Sequence, residues 1–325
     1  MLSISTIGAN AGKTAQYYTE SHAQTERYYD SKMEQGGVWV GGRSMGLHGQ
    51  SVDGEVFKTL LDGRDTQGNK LVPDKDGSGR VGYDFTFSAD KSVSVLWARA
   101  DDETRAKIEG VFRKSVENSL QYIEKDILNE CVRRGKDGLI RESPKELTFA
   151  TFQHGSSRAG DPQLHMHSVL LNMAERRDGT WGAIDPKQAF KAQVLARKMF
   201  AAEFSTNLHR ELGLGIKQTK DGFRIEGVPE EVIKHYSKRK QEIEKRAEAL
   251  GVSSARGRER IALDTREDKQ EISQDLRLSR WQSEMEERGF TWEAAQKQCL
   301  SNKVTQTLNR DDVIGSALSD FTAHS

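Results

Sequence analysis

The sequence predicts an α+β fold in which at least two strands pair in antiparallel fashion. Residues 149–152 and 164–171 are rich in apolar and β-branched side chains, and the stretch between them contains the glycine, serine and proline typical of a turn. Two strands joined by such a turn can pair as antiparallel neighbours. Residues 102–129 place apolar side chains at helical spacing, which predicts a long helix.

The amino-terminal elements follow from local patterns. Residues 2–7 predict a short strand, and Asn10 is a candidate N-cap for a helix that begins near Lys13. Downstream, the sequence predicts a short helix, then an alternating strand, then a segment that fits either a strand or a buried helix: 56–61, 83–87 and 92–97.

The carboxyl-terminal half becomes increasingly polar. Basic helices are predicted over 186–211 and 229–250, with a hairpin over 215–226 between them. After Gly251 few apolar residues remain, which predicts a weakly cored extension. We therefore expect a core, a mainly helical carboxyl-terminal extension and a tail: 1–230, 231–300 and 301–325.

Composition limits the classes of function. The chain has 325 residues with 49 basic and 49 acidic side chains, so binding to nucleic acid must come from local basic patches. The two cysteines, Cys131 and Cys299, lie far apart, which excludes a disulfide scaffold or thiolate metal site. Neither a signal pattern nor a membrane-length apolar run is found in the sequence, so we expect a cytoplasmic protein.

Histidines concentrate in the predicted strand pair. His165 and His167 are two residues apart on one strand and therefore project from the same face, and antiparallel pairing brings His154 to the same place. Three neutral imidazoles hold a divalent metal and leave its other positions open, as a catalytic metal requires. The alternative is an ordinary polar strand face with a chance histidine pair.

Tyrosines concentrate near the amino terminus. Two pairs, Tyr17-Tyr18 and Tyr28-Tyr29, contain four of the seven tyrosines. A phenol with a pKa near 10 is ionised in roughly one molecule in a thousand at pH 7, a deficit of about 4 kcal/mol that a carboxylate base or a divalent cation can offset. A tyrosine beside a metal is thus a candidate nucleophile. The alternative is an aromatic stripe that buries one helix face.

Asp84 is the obvious carboxylate for such a site. It lies on the alternating 83–87 strand, on the same face as Thr86 and opposite Phe85 and Phe87, which we expect to pack in the core. Aspartate is depleted in strands unless something holds it there, so a plain surface position is the weaker interpretation.

These motifs resemble those of the MobF family of conjugative relaxases, single-strand DNA endonucleases of the HUH superfamily. The similarity covers the tyrosine pairs, GYDFTFSADKSVSV (82–95), PQLHMHSVLLN (162–172) and IALDTREDKQ (261–270), in the family's order. The resemblance implies an HUH-type antiparallel β-sheet palm flanked by helices. It also implies a helical carboxyl-terminal extension, the fingers, that folds over single-stranded DNA.

The resemblance also implies roles for individual residues. Tyr17 matches the nucleophile that forms a 5′-phosphotyrosine at the nick, and Tyr28 matches the tyrosine proposed for a second cleavage or strand transfer. Tyr18 and Tyr29 match accompanying tyrosines. Asp84 matches the acidic residue that orients a metal-binding histidine or takes the nucleophile's proton.

The remaining implied residues bind the metal or the DNA. His154, His165 and His167 match the metal ligands, for Mg²⁺, Mn²⁺ or Zn²⁺. Three cations in the motifs are candidate DNA contacts: Lys91, Arg158 and Lys269.

The implied activity is nicking and rejoining of plasmid origin-of-transfer DNA. Implied partners are that single-stranded DNA, accessory relaxosome proteins and a conjugative secretion system. In this family a helicase follows the relaxase domain, and residues 301–325 resemble the start of that region, so we expect a longer full-length protein.

Three alternatives remain open. A rolling-circle replication initiator of the same superfamily differs in motif order and tyrosine number. A non-catalytic DNA-binding module with a structural metal uses the histidines but not the tyrosines. A cupin-like oxygenase or small-molecule metal hydrolase leaves the tyrosine pairs unexplained.

Overall fold

A computed structural model describes residues 1–26, 37–73, 79–135, 138–220, 222–254, 257–258, 260–261 and 274–300. Several positions singled out in the sequence lie outside the described residues: Tyr28, Tyr29, Lys269 and the 301–325 tail. Within the described ranges, no helix combines the length and apolar character needed to cross a bilayer.

Strands and helices intermix along the chain. The strands are β1 (Leu2–Ile7), β2 (Val38–Gly41), β3 (Gly82–Ser88), β4 (Val132–Arg134), β5 (Ile140–Glu142), β6 (Pro144–Glu146), β7 (Thr148–Ser156), β8 (Pro162–Leu171), β9 (Ala174–Arg176), β10 (Trp181–Gly182), β11 (Ile216–Thr219) and β12 (Gly222–Ile225). The described helices of more than one turn are α1 (Ala11–Glu26), α2 (Gly54–Leu61), α3 (Lys91–Arg99), α4 (Asp102–Tyr122), α5 (Lys187–Lys191), α6 (Gln193–Leu212), α7 (Glu230–His235), α8 (Lys238–Ala249), α9 (Gln274–Glu287) and α10 (Trp292–Cys299).

The central sheet has five strands in the order β1-β3-β8-β7-β2, and every neighbouring pair is antiparallel. Strands β7 and β8 contain the two segments that the sequence predicts to pair, and their register sets His154 opposite His165 and Phe152 opposite His167. The predicted α+β class is confirmed, and the histidines occupy the middle of the sheet.

Each face of this sheet covers its own apolar cluster. One face places Phe85, Phe87 and Met166 in the larger cluster, under α3, α4 and α6. The opposite face places Phe152 and Val169 in a second cluster, under α1 and α2. Because side chains alternate along a strand, Asp84 and the histidines share the face that α1 covers.

The ambiguous segment 92–97 is helical. It forms α3, and the side chain of Asp90 caps this helix by accepting a hydrogen bond from the Ser92 backbone N–H at 2.9 Å. Val93, Val95 and Leu96 are all buried, so the helix is apolar on several sides and its sequence lacks a clear period.

Both predicted basic helices are interrupted. The 186–211 segment splits into α5 and α6 at Ala192, and the 229–250 segment splits into α7 and α8 around Tyr236. The Tyr236 ring is buried and its hydroxyl donates to the Trp281 carbonyl oxygen at 3.1 Å, a contact distant in sequence. Tertiary contacts of this kind override local helix propensity.

The carboxyl-terminal helices pack on the main core. Trp281 and Met285 of α9, Phe290, and Cys299 of α10 are buried and belong to the larger cluster. The expected weakly cored extension is therefore mainly helical where it is described, but it is better packed than its polar composition indicates. Several of its few apolar residues are buried together in this cluster.

Replacing Met285 with alanine tests this packing. Met285 is fully buried, so Met285→Ala is expected to lower the free energy of unfolding by about 2–5 kcal/mol. Leu276 on the same helix is 67% exposed, and Leu276→Ala serves as the matched control. Chemical denaturation of both variants measures the difference. Equal stabilities would contradict the packing of α9.

Candidate active site

The three histidines form one cluster on the sheet. His154 lies directly across from His165, and His167 follows two residues later on β8. Ligand atoms from all three side chains lie within 4.8 Å of one another. This spacing suits three nitrogens around one cation, so the predicted convergence of the imidazoles is observed.

Hydrogen bonds fix how two of these rings present their nitrogens. His165 Nδ1 is 2.8 Å from the Gln163 carbonyl oxygen, and His167 Nδ1 is 2.7 Å from Asp84 Oδ2. Because a carbonyl oxygen and a carboxylate only accept, each Nδ1 carries the proton and each Nε2 is left as the basic nitrogen. This is the tautomer and the outer-shell pattern found around metal-binding histidines, so the residues fit a bound metal.

Asp84 joins the histidine cluster to the tyrosines. The buried carboxylate accepts from the Tyr18 hydroxyl at 2.9 Å as well as from His167. Burial alone raises the pKa of Asp84, but the charge and hydrogen bond of His167 and the hydroxyls of Tyr18 and Thr86 outweigh it, so the pKa lies below its usual value. Asp84 is therefore an ionised acceptor.

Tyr18 is buried between the sheet and α2. Its ring stacks on Phe152 at a centroid distance of 5.4 Å and meets the His167 ring edge-on, also at 5.4 Å. Phe57 contributes a third aromatic contact at 6.4 Å. Tyr18 thus anchors α1 beside the histidines.

Tyr17 projects in a different direction from Tyr18. Adjacent residues on a helix point about 100° apart, and the Tyr17 side chain is 42% exposed while its neighbour is buried. Its ring centroid lies 5.0 Å from that of Tyr18, and its hydroxyl accepts a hydrogen bond from Arg158 Nη2 at 3.2 Å. An exposed phenol beside a guanidinium is accessible to a large substrate.

The two candidate DNA contacts that the structure describes lie near the connection between β7 and β8. Arg158 lies in this connection and reaches Tyr17, whereas Lys91 Nζ donates to the Pro162 carbonyl oxygen at 2.7 Å. Burial lowers the pKa of Lys91 to about 8, against the opposing effect of the Asp161 and Asp90 carboxylates. Arg158 and Lys91 therefore lie at the end of the sheet that carries the histidines.

The structure brings most of the sequence-predicted site together. Tyr17, Tyr18, Asp84 and Arg158 are connected to the histidine cluster through a chain of contacts. Sequence reasoning missed the Gln163 carbonyl group, although its position two residues before His165 on an alternating strand is a local signal. It also missed the aromatic wall formed by Phe152, which only strand register reveals.

We expect Asp84→Asn to weaken metal binding. The amide cannot hold His167 in the same tautomer as firmly, and loss of such an outer-shell carboxylate costs about 10- to 100-fold in metal affinity. Calorimetric titration with Mn²⁺ and with Zn²⁺ measures this change. Asp53→Asn is the control, because Asp53 is an N-cap of α2 and asparagine caps equally well. Unchanged affinity in Asp84→Asn would contradict the orienting role.

Comparison with known proteins places this geometry in context. A family model described as TrwC relaxase matches residues 11–288. The chain is 32% identical over 304 residues to the multifunctional conjugation protein TraI of Escherichia coli, and 31% identical over 304 residues to TraI of strain K12. Each alignment covers 89% of this chain but only 16% of the relative, so the chain spans a small part of their length.

Solved structures resemble the chain over most of its length. A copper-bound structure of the conjugative relaxase TrwC in complex with oriT DNA has a TM-score of 0.78 and 28% identity. A metal-bound TrwC complex with oriT DNA has a TM-score of 0.77 and 29% identity. Each covers 90% of this chain and 100% of the TrwC chain. The HUH-type palm is thereby confirmed, and a divalent metal at the histidine cluster is supported.

Proposed function

The chain belongs to the TrwC relaxase family, and from this premise we propose that it nicks one strand of plasmid origin-of-transfer DNA and later rejoins it during conjugative transfer. The observation that carries the proposal is the placement of Tyr17: it is exposed, while its neighbour Tyr18 contacts His167 and Asp84. An accessible phenol whose neighbouring residue contacts the three-histidine cluster fits attack on a phosphodiester.

The proposed reaction is a transesterification. The Tyr17 oxygen attacks the phosphorus, a new oxygen–phosphorus bond forms, and the bond between phosphorus and the 3′ oxygen breaks. The products are a 5′-phosphotyrosine on the protein and a DNA 3′-hydroxyl, which takes up the equivalent of the phenol proton. One phosphodiester replaces another, so the step needs no nucleotide and can run backwards to reseal the strand.

Residues around Tyr17 have separate tasks in this scheme. Arg158 donates to the Tyr17 hydroxyl and stabilises negative charge as the phenol loses its proton. Asp84 orients His167 and holds Tyr18, which favours the positioning role over that of a direct base for Tyr17. Tyr18 positions the helix that carries the nucleophile.

His154, His165 and His167 would hold the divalent metal. When bound there, such an ion supplies Lewis-acid stabilisation to non-bridging phosphate oxygens. Of the expected candidates, Mg²⁺, Mn²⁺ and Zn²⁺, imidazole nitrogens favour Zn²⁺ and then Mn²⁺ over the oxygen-seeking Mg²⁺.

The proposal extends to partners and to the parts of the chain outside the described residues. DNA contacts are assigned to Lys91, Arg158 and Lys269, and a second cleavage or strand transfer to the Tyr28-Tyr29 pair. The 231–300 extension is proposed to cover single-stranded DNA, and residues 301–325 to lead into a helicase. Cytoplasmic relaxosome proteins and a conjugative secretion system complete the proposed assembly.

The direct test is capture of the covalent intermediate. The protein is incubated with a labelled single-stranded origin oligonucleotide and Mn²⁺, denatured, digested and analysed by mass spectrometry. The expected result is a nucleotide adduct on Tyr17, with label from the 5′-phosphate side of the nick. DNA binding with no adduct would favour a non-catalytic metal-containing module instead.

A further inference from the structure

The β7–β8 turn (157–161) is the connection that carries Arg158 towards Tyr17. It lies between His154 on one strand and His165 on the other. Within the turn, Gly160 adopts a φ of +73°, a conformation that glycine tolerates and other residues rarely adopt. A small displacement here changes the reach of Arg158 directly.

Helices α8 and α9 of the carboxyl-terminal extension form hydrogen bonds with this turn. Trp281 of α9 donates its indole N–H to the Gly160 carbonyl oxygen at 2.9 Å. At the other end of the turn, Asp161 is 1% exposed and accepts the backbone N–H of Lys238, the first residue of α8, at 2.9 Å. The Lys238 ammonium also pairs with Asp161 at 3.3 Å.

Helix α9 also contacts the end of β7. Arg277 Nη1 donates to Ser156 Oγ at 2.6 Å, one turn of α9 before Trp281. The Trp281 ring also packs on Trp97 of α3, with centroids 6.3 Å apart. Trp97 in turn lies so close to Gly155 that a Cβ there would meet its ring at 2.5 Å. The strand end and the turn are therefore enclosed on the side away from Tyr17.

We propose that Trp281 is a positioning residue for the reaction: through the Gly160 carbonyl group it fixes the β7–β8 turn, and thereby holds Arg158 in reach of the Tyr17 hydroxyl. The extension thus acts on the nucleophile in addition to any role in covering DNA. This inference rests on the proposed nicking activity. It assigns a positioning role to Trp281, which lies about 120 positions after Gly160 in the sequence.

The expected size follows from the contact that is lost. A neutral hydrogen bond contributes a modest net stabilisation, so losing the indole donor is expected to slow nicking about three- to tenfold. Arg158 is itself a proposed DNA contact, so the rates are compared at saturating oligonucleotide, where a change in DNA affinity does not alter them.

The test is a double-mutant cycle with Arg158. Trp281→Phe removes the indole donor while keeping an aromatic ring on Trp97, and Arg158→Ala removes the group that is positioned. Single-turnover nicking at saturating origin oligonucleotide is measured for the parent, both single variants and the double variant, with oligonucleotide dissociation constants. We expect Trp281→Phe to slow nicking only when Arg158 is present.

Trp292→Phe is the matched control. The Trp292 indole donates to Asp101 Oδ2 at 3.1 Å, on α10 and away from the turn, so its loss should leave nicking unchanged. If Trp281→Phe fails to fold, Trp281→Leu, which also removes the indole donor and keeps an apolar side chain at the site, takes its place in the cycle.

The outcomes separate the two proposals. An unchanged rate in Trp281→Phe, or the same slowing in the presence and absence of Arg158, would overturn the positioning role. A parent protein that binds origin DNA and metal but does not nick would instead overturn the proposed function.

Discussion

Tyr17→Phe is expected to abolish the covalent protein–DNA adduct and to slow nicking by at least about a thousand-fold, because the variant has no nucleophilic oxygen. The ring remains, so its edge contact with Tyr18 and the fold of α1 should persist. Denaturing gels with a labelled origin strand measure adduct formation, and calorimetry checks that metal binding is retained.

Tyr122→Phe is the matched control for this loss. Tyr122 ends α4, which packs on the opposite face of the sheet, and the same oxygen is removed. It should nick at the parental rate. If Tyr17→Phe still forms the adduct at that rate, the nucleophile lies elsewhere, and Tyr28 becomes the first candidate.

His165→Ala is expected to reduce nicking by at least about a hundred-fold, since metal-ion stabilisation of a reacting phosphate amounts to several kcal/mol. It removes one of three converging ligands, so metal affinity measured by calorimetry should fall with the rate. Affinity for the oligonucleotide, measured by fluorescence anisotropy, should change far less, because a cation at this site acts on a single phosphate.

His48→Gln is the control for loss of an imidazole. His48 is exposed and accepts the Gly41 N–H at 3.1 Å, a bond that a glutamine oxygen can also accept. A parental rate in both variants would mean that the histidine cluster takes no part in the reaction.

The histidine cluster could be predicted because it depends on side-chain alternation and strand pairing, which are local rules. Alternation on β8 places His165 and His167 on one face, and pairing with the adjacent strand brings His154 opposite. Asp84 could be identified for the same reason. Phe85 and Phe87 pack in the core on one face of the strand, so alternation places Asp84 on the other face. The fold class follows from the same local signals.

What the sequence did not predict depends on contacts between distant segments. The break between α7 and α8 coincides with burial of Tyr236 against Trp281, which no window around residue 236 contains. The contact between Arg277 and Ser156 likewise joins residues far apart in the chain. Which tyrosine of the Tyr17-Tyr18 pair is buried depends on how α1 is rotated about its own axis. That rotation is set by contacts of Tyr18 with Phe57 and Phe152.

The embedded Tyr18 ring has a mechanical consequence. A DNA strand attached to Tyr17 would pull on α1 at the residue next to Tyr18. Separating α1 from the sheet would then require breaking the stacking of Tyr18 on Phe152 and its hydrogen bond to Asp84. If Tyr17 carries the DNA strand, tension on that strand would therefore be transmitted to the buried Tyr18 ring and its contacts with Asp84 and Phe152.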